Sequence, residues 1–390
     1  MEVGDRPTTE AAPALTGQRL PAGFDGPRAC GPYDLAPTVD LIDLVFRTQP
    51  ATGAPRAPNM GWGYTHVYNP DNLSNVRIVC HQGRPVSSVG IYPTTVQTPR
   101  GTVGVGGINA VAPHPDYRRR GLNTATMLDA QARMRDTGLH VGLLSTGITN
   151  YYRKLGWERA GRQRTFTFDR QNVTYLPAAT DVRVLEVTEN WQSCLGQLCA
   201  LYEASGQGAR RTAATFALLL ARKAGRVFVA QRHGDVVAYA VASGAAIREY
   251  GGAAGDVAAL LRGLFPAIED LPAHSTDRRG GQAGQFEMTV LTPAMATGLP
   301  ALLLDLGVPT ALTYLGMMLL VDAPGLFDAL GIEIQIEPCG ERWRLHYRDT
   351  GTLDVAGGEL VKLVFGPERR PEFAPDLLPV EFFQWPMDRV

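Results

Sequence analysis

Apolar residues fall into short runs separated by glycine and proline turns, and the first clear set is three strands in series at 76–81, 86–92 and 103–112. Gln82-Gly83 and Arg100-Gly101 supply the tight turns between them. Pro113 and Pro115 end the third strand, because neither ring carries an N–H for a ladder. Upstream, the pattern predicts a strand over 28–33 and a helix over 35–48. Downstream, Ala125, Met127, Leu128, Ala132 and Met134 recur at mostly helical spacing over 123–135. A strand at 141–145, a short helix around Tyr152 and a strand at 164–168 follow. The order then starts again, with helices near 191–202 and 212–223 and a hairpin of 227–232 with 236–243 turned by His233-Gly234-Asp235. Strand 247–250 enters the glycine turn 251–255 and a helix over 256–264. From about residue 312 a third section shows strands at 314–322, 332–338 and 343–348, with helices at 324–330 and 358–365. The last residues, 378–390, are apolar and aromatic and are expected to be buried rather than loose.

The 390-residue length predicts two or three domains. Residues 1–24, rich in Pro, Ala, Gly and Thr, read as a flexible tail. A formal charge of −1 makes nucleic acid and anionic membranes poor partners. There is neither a secretory segment nor an apolar run of about 18 residues that could span a bilayer. Cys30, Cys80, Cys194, Cys199 and Cys339 form no CxxC and read as reduced thiols of a cytoplasmic protein. The histidines lack ligand spacing, so no metal is expected.

The segment Val111-Ala-Pro-His-Pro-Asp-Tyr-Arg-Arg-Arg-Gly-Leu-Asn-Thr124 carries the candidate chemistry. A strand there runs into a basic turn and then a helix. The first amides of a helix have no intrahelical acceptor and the dipole favours an anion, so residues 119–124 (Arg119, Arg120, Gly121, Leu122, Asn123, Thr124) can cradle a pyrophosphate. Gly121 allows close approach. The plain alternative is a solvated basic patch. Neither a Walker loop nor a dinucleotide G-x-G-x-x-G turn occurs.

About thirty residues on stands Ser145-Thr-Gly-Ile-Thr-Asn-Tyr-Tyr-Arg-Lys-Leu-Gly-Trp-Glu158. The pair of segments resembles the GNAT N-acetyltransferase superfamily, whose motifs V-x-x-x-P-x-x-R-x-x-G-x-G/A and F/Y-Y-x-K-x-G-F/W-E match Val111, Pro115, Arg118, Gly121, Tyr152, Lys154, Gly156, Trp157 and Glu158 in register. The resemblance implies acetyl-CoA as co-substrate, held where the motif strand splays from its neighbour. It makes Val111 the donor to the thioester oxygen, Ser145 a pantetheine contact and Tyr152 the general acid for the leaving thiolate. The plain alternative for Tyr152 is a core aromatic. Pro113 stands where family members offer another N–H, and Asn123 where they carry Gly or Ala. Strand 102–112 has no carboxylate or histidine to serve as a base.

The three-part order resembles the enhanced intracellular survival (Eis) acetyltransferases. That implies an α/β chain of tandem GNAT folds, each a mixed, mostly antiparallel sheet with helices on both faces, followed by an α+β sterol-carrier-like domain. The divisions are a catalytic domain at 25–167, a GNAT-like domain without cofactor at 168–308 and the third domain at 309–390. It also implies that the α-carboxylate of Val390 enters the first domain's active site as the missing base, and that the chain forms a homo-oligomer, a hexamer by resemblance. The alternative for the terminus is packing for stability alone. The implied reaction is direct N-acetylation of a primary amine in a small molecule or peptide (aminoglycoside-, polyamine- or lysine-like), with Phe46, Trp62 and Tyr64 as candidate walls for it. The alternative is a non-catalytic acyl-CoA sensor or apolar-ligand carrier.

Overall fold

The computed structural model describes residues 20–46, 63–178, 180–223, 225–270, 286–340, 342–348, 351–367 and 370–390. The chain begins with β1 (Phe24–Ala29), α1 (Leu35–Phe46), β2 (Val76–His81), β3 (Arg84–Gln97) and β4 (Thr102–Pro113). Then come α2 (Leu122–Asp136), β5 (Val141–Leu144), α3 (Thr149–Arg153) and β6 (Glu158–Ala160). β1 lies four residues earlier than the sequence pattern suggests. Gly31 and Asp34 close a turn through N–H donations in both directions, and Phe24 instead finds the His81 and Tyr117 rings. β3 runs past Pro93, where the expected strand stopped. Its pairing with β2 reaches only Gly90, so the proline nitrogen falls beyond that partner, where no ladder bond is lost.

The second part contains β7 (Gln163–Phe168), β8 (Arg183–Glu186), α4 (Leu195–Ala204), β9 (Gly208–Ala209), α5 (Ala213–Lys223), β10 (Arg226–Arg232), β11 (Asp235–Ser243) and β12 (Ala246–Gly252). It continues with α6 (Ala254–Glu269), β13 (Met288–Pro293), α7 (Leu299–Asp305) and β14 (Thr310–Thr313). The remainder is β15 (Gly316–Leu320), α8 (Ala323–Ala329), β16 (Gln335–Cys339), β17 (Arg342–His346), β18 (Thr352–Ala356) and α9 (Gly357–Phe365).

Two sheets repeat one plan. In the first, β2, β3 and β4 form an antiparallel meander and β5 joins β4 in parallel; in the second, β10, β11 and β12 do the same with β13. The glycine turn 251–255 thus occupies the place of the arginine turn. The strand expected at 314–322 is β15, and it completes the first sheet by inserting between β5 and β6. β9, from the second part, pairs with the end of β3. The third unit is the antiparallel sheet β16-β17-β18 with α9 packed against it. One apolar core runs through all three, joining Val105 and Val141 of the first sheet to Phe216 and Tyr239 of the second, Phe327 and Leu345 of the third, and the tail residues Val380, Phe382, Phe383, Trp385 and Met387.

Candidate active site

The basic turn is held from both sides. Residues 115–117 form a single 3-10 turn, and Tyr117 hydrogen-bonds its hydroxyl to His81 Nδ1 at 3.1 Å. The Arg120 guanidinium stacks over the Tyr117 ring, 5.3 Å from its centroid. Arg119 (φ 62°) and Gly121 (φ 78°) are both left-handed, and Gly121 caps α2 without a side-chain bond. These two residues bring the chain into the first turn of α2, whose leading N–H groups have no acceptor within the helix. Asn123 Nδ2 donates to the Tyr151 hydroxyl at 3.0 Å, so the side chain is turned toward α3.

β4 carries an irregularity where the chemistry is expected. The register against β3 slips between Ser88 and Gly90, and Ala110 stands at φ 46°. Tyr68 donates its hydroxyl to Asn109 Oδ1 at 2.8 Å, and it fits only because Gly90 has no Cβ, which would come within 2.7 Å of that oxygen. The pairing of β4 with β5 runs from Val105 with Val141 to Gly107 with Leu143. Beyond Gly107 the strands part. His114 N–H donates to Val86 O at 2.8 Å, so strand alternation turns the amide of Val111 and the nitrogen of Pro113 the other way, over the opening. Ser145 follows directly on β5, exposed at the rim.

Strand, turn with two left-handed residues, helix, bulge and splayed parallel pair thus follow one another within one stretch of the first sheet. Residues 28–160 match the family model of the acetyltransferase (GNAT) domain. Residues 28–160 are thus similar to a GNAT acetyltransferase domain, and the chain as a whole shares its fold with longer proteins that contain one. A probable N-acyltransferase from Enterococcus faecalis V583 superposes with a TM-score of 0.61 at 13% identity, covering 93% of this chain and 97% of that one. Eis1 from Mycobacterium abscessus does so with a TM-score of 0.58 at 14% identity, covering 94% and 100%. A GCN5-related N-acetyltransferase from Anabaena variabilis reaches 0.56 at 14% identity, covering 86% and 84%. At these identities the likeness lies in the fold. No curated protein is similar to the chain in sequence.

In this GNAT frame Tyr152 lies on α3, buried, with its ring edge-on to Tyr151 at 5.0 Å and to Trp157 at 6.4 Å. Burial, with a smaller contribution from Tyr151, pushes its phenol up to about 12. The chain end reaches β4. A Cβ built on Gly107 would lie 2.7 Å from Val390 Cγ2, so the last residue rests against the last glycine before the splay. Val390 packs against the same apolar cluster as Tyr64 and Tyr92, whose rings lie 5.8 and 4.8 Å from that of His66. Phe46, at the end of α1, is 48% exposed and outside that group. Trp62 lies outside the described residues. Sequence reasoning missed Gly107, Ala110, Tyr68 and Asn109. Among these only the small-residue run Gly104-Val-Gly-Gly107 left a trace in the sequence. Among the described residues there is no group of three or more His, Cys, Asp or Glu placed to hold a metal, and no helix is long and apolar enough to cross a membrane.

Proposed function

We propose that this protein moves an acetyl group from acetyl-CoA to a primary amine by direct attack in a ternary complex. One observation supports the reading: β4 parts from β5 beyond Gly107, and Val390 rests against β4 at that same glycine. The reading of the turn as a diphosphate cradle is supported by the left-handed Arg119 and Gly121 ahead of α2 and by Asn123, whose side chain bonds the Tyr151 hydroxyl. Acetyl-CoA supplies the acyl thioester. Amides 119–124 hold its diphosphate, and Val111 N–H donates to the thioester oxygen. Pro113 withdraws one further donor, which costs about 0.5–1.5 kcal/mol of binding. The carboxylate of Val390 takes a proton from the attacking amine, and the Tyr152 hydroxyl gives one to the departing sulfur. Tyr64, His66 and Tyr92 offer aromatic faces to the acceptor, which favours a cationic amine of the aminoglycoside, polyamine or lysine kind.

The test is thiol release from acetyl-CoA with an aminoglycoside, spermidine and a lysine peptide. Removing Val390, or Tyr152→Phe, is expected to lower kcat by about tenfold or more, equal to about 1.4 kcal/mol of barrier. Binding of acetyl-CoA without turnover of any amine would favour a sensor.

A further inference from the structure

The residues that end the chain are tied to groups outside the first sheet. Arg211, between β9 and α5, has a side chain only 2% exposed. Its Nε and Nη2 donate to the two oxygens of Asp388 at 2.7 and 2.8 Å. Its Nη1 and Nη2 donate to the two oxygens of Glu249, on β12, at 2.9 and 2.6 Å. Glu249 is 0% and Asp388 4% exposed. Tyr239 donates to Glu249 at 3.0 Å, and the guanidinium lies 4.1 Å from the Tyr202 ring centroid. One guanidinium thus grips two carboxylates, away from water, through four of its five N–H groups.

Such a cluster is a poor device for stability alone. An apolar substitute of the same volume commonly stabilises as well or better, and what the fork adds is a fixed geometry. The geometry it fixes is that of the chain end. The stretch before Arg211 is bound to the first sheet, with Gly208 and Ala209 paired to β3 and Arg210 N–H donating to Thr95 O at 2.7 Å. One residue beyond Asp388, Arg389 donates to Gln384 O at 2.7 Å and to Gln163 Oε1 at 2.9 Å. One more residue on, Val390 rests against Gly107.

We infer that Arg211, braced by Glu249, is a positioning residue that holds Asp388 and, through it, the terminal carboxylate over β4. The second sheet, which has no cation in its own turn, thereby serves as the mount for the first domain's base. Chain termini are otherwise the least ordered part of a domain, and a misplacement of about 1 Å costs on the order of a hundredfold in rate. This inference rests on the reading of Val390 as proton acceptor.

The experiment uses the full chain, acetyl-CoA and whichever of the three amine probes releases thiol fastest. Four variants are compared: Arg211→Lys, Asp388→Asn, removal of Val390, and Arg232→Gln. Arg232 bridges Asp181 and Asp256 at the surface of the second sheet, far from the tail in chain order, and serves as the control. Arg211→Lys keeps the charge and loses the fork. Asp388→Asn turns an amide NH2 toward the guanidinium while leaving it balanced by Glu249. Both are expected to lower kcat by about fivefold or more with the acetyl-CoA KM within about twofold of the parent, a split that general loosening does not produce. Arg232→Gln is expected to change neither constant.

If removal of Val390 abolishes turnover while Asp388→Asn and Arg211→Lys work normally, the base stands and the clamp falls. Unchanged kcat without Val390, or no thiol release with any amine, removes the reading of the base and the clamp with it. Should Arg211→Lys fail to fold, Asp388→Asn decides. An acetyl-CoA KM rising in step with the loss of kcat overturns the positioning role.

Discussion

Gly107 shows how much one missing methyl group can decide. A Cβ there would meet Val390 Cγ2 at 2.7 Å, closer than carbon atoms tolerate, so Gly107→Ala is expected to displace Val390 from its place against β4. Gly104, three residues earlier and on the other face of β4, leaves about ordinary room, its Cβ position lying 3.4 Å from its nearest neighbours. Gly107→Ala is therefore expected to lower kcat by about tenfold while Gly104→Ala changes it by less than about twofold. Val390→Ala removes the colliding methyl, so the pair Gly107→Ala with Val390→Ala should recover much of the loss. Failure of that rescue in steady-state kinetics would detach Gly107 from the chain end. Tyr152 makes a second prediction at this scale. With its phenol raised to about 12 by burial, the proton remains on oxygen across the working range. Raising the pH does not drain the acid, and Tyr152→Phe should reduce kcat by the same factor at about pH 7 and at about pH 9.5. A penalty that shrinks at the higher pH would show the tyrosine already ionised there.

In the proposed reaction the turn leading into α2 holds the diphosphate through its backbone, not through its three arginines. Arg118, Arg119 and Arg120 are all exposed, whereas the left-handed φ values at Arg119 and Gly121 set where the amides point. Glycine adopts φ 78° without cost, and a β-branched residue pays about 1–3 kcal/mol to do so. Gly121→Val is thus expected to raise the acetyl-CoA KM by about tenfold with kcat nearly kept, while Arg119→Gly changes either by less than about threefold. Equal damage from both would point to the side-chain charges instead. This turn was legible in the sequence because everything that makes it is local: a strand, two prolines, a glycine and a helical repeat within about thirty residues. The hairpin of β10 and β11 was legible for the same reason, through His233-Gly234-Asp235. The insertion of β15 between β5 and β6 was not, since an apolar run of five residues does not say which distant strand it will join. Nor was the β4 bulge, beside which Tyr68 reaches Asn109 across 41 positions. Asn123 was legible as a departure from the family pattern but not in its consequence, which depends on the facing Tyr151.

At the scale of the molecule, the segment 379–390 is part of the core and, in the proposed reaction, an active-site element as well. Val380, Phe382, Phe383, Trp385 and Met387 are all buried in the cluster shared by the three units, with Trp385 edge-on to Tyr250 and Phe383. Each such side chain is worth about 1.5–3 kcal/mol of burial, and together they rival the entire net stability of about 5–15 kcal/mol typical of a folded domain. The apolar composition of the tail announced its burial. Its path across both sheets depends on Arg211 and Arg389, whose partners lie far away in sequence. Cutting the chain after Leu378 is therefore expected to give aggregated protein without a cooperative melt. Removing Val390 alone takes one partly buried side chain from the edge of a cluster, and should shift Tm by less than about 3 °C while lowering kcat by about tenfold or more. Thermal unfolding followed together with light scattering separates the two effects. Equal melts for the full chain and the long truncation would show that the tail is not part of the core, whereas a large loss of Tm on removing Val390 alone would make the terminal residue a structural plug rather than a base.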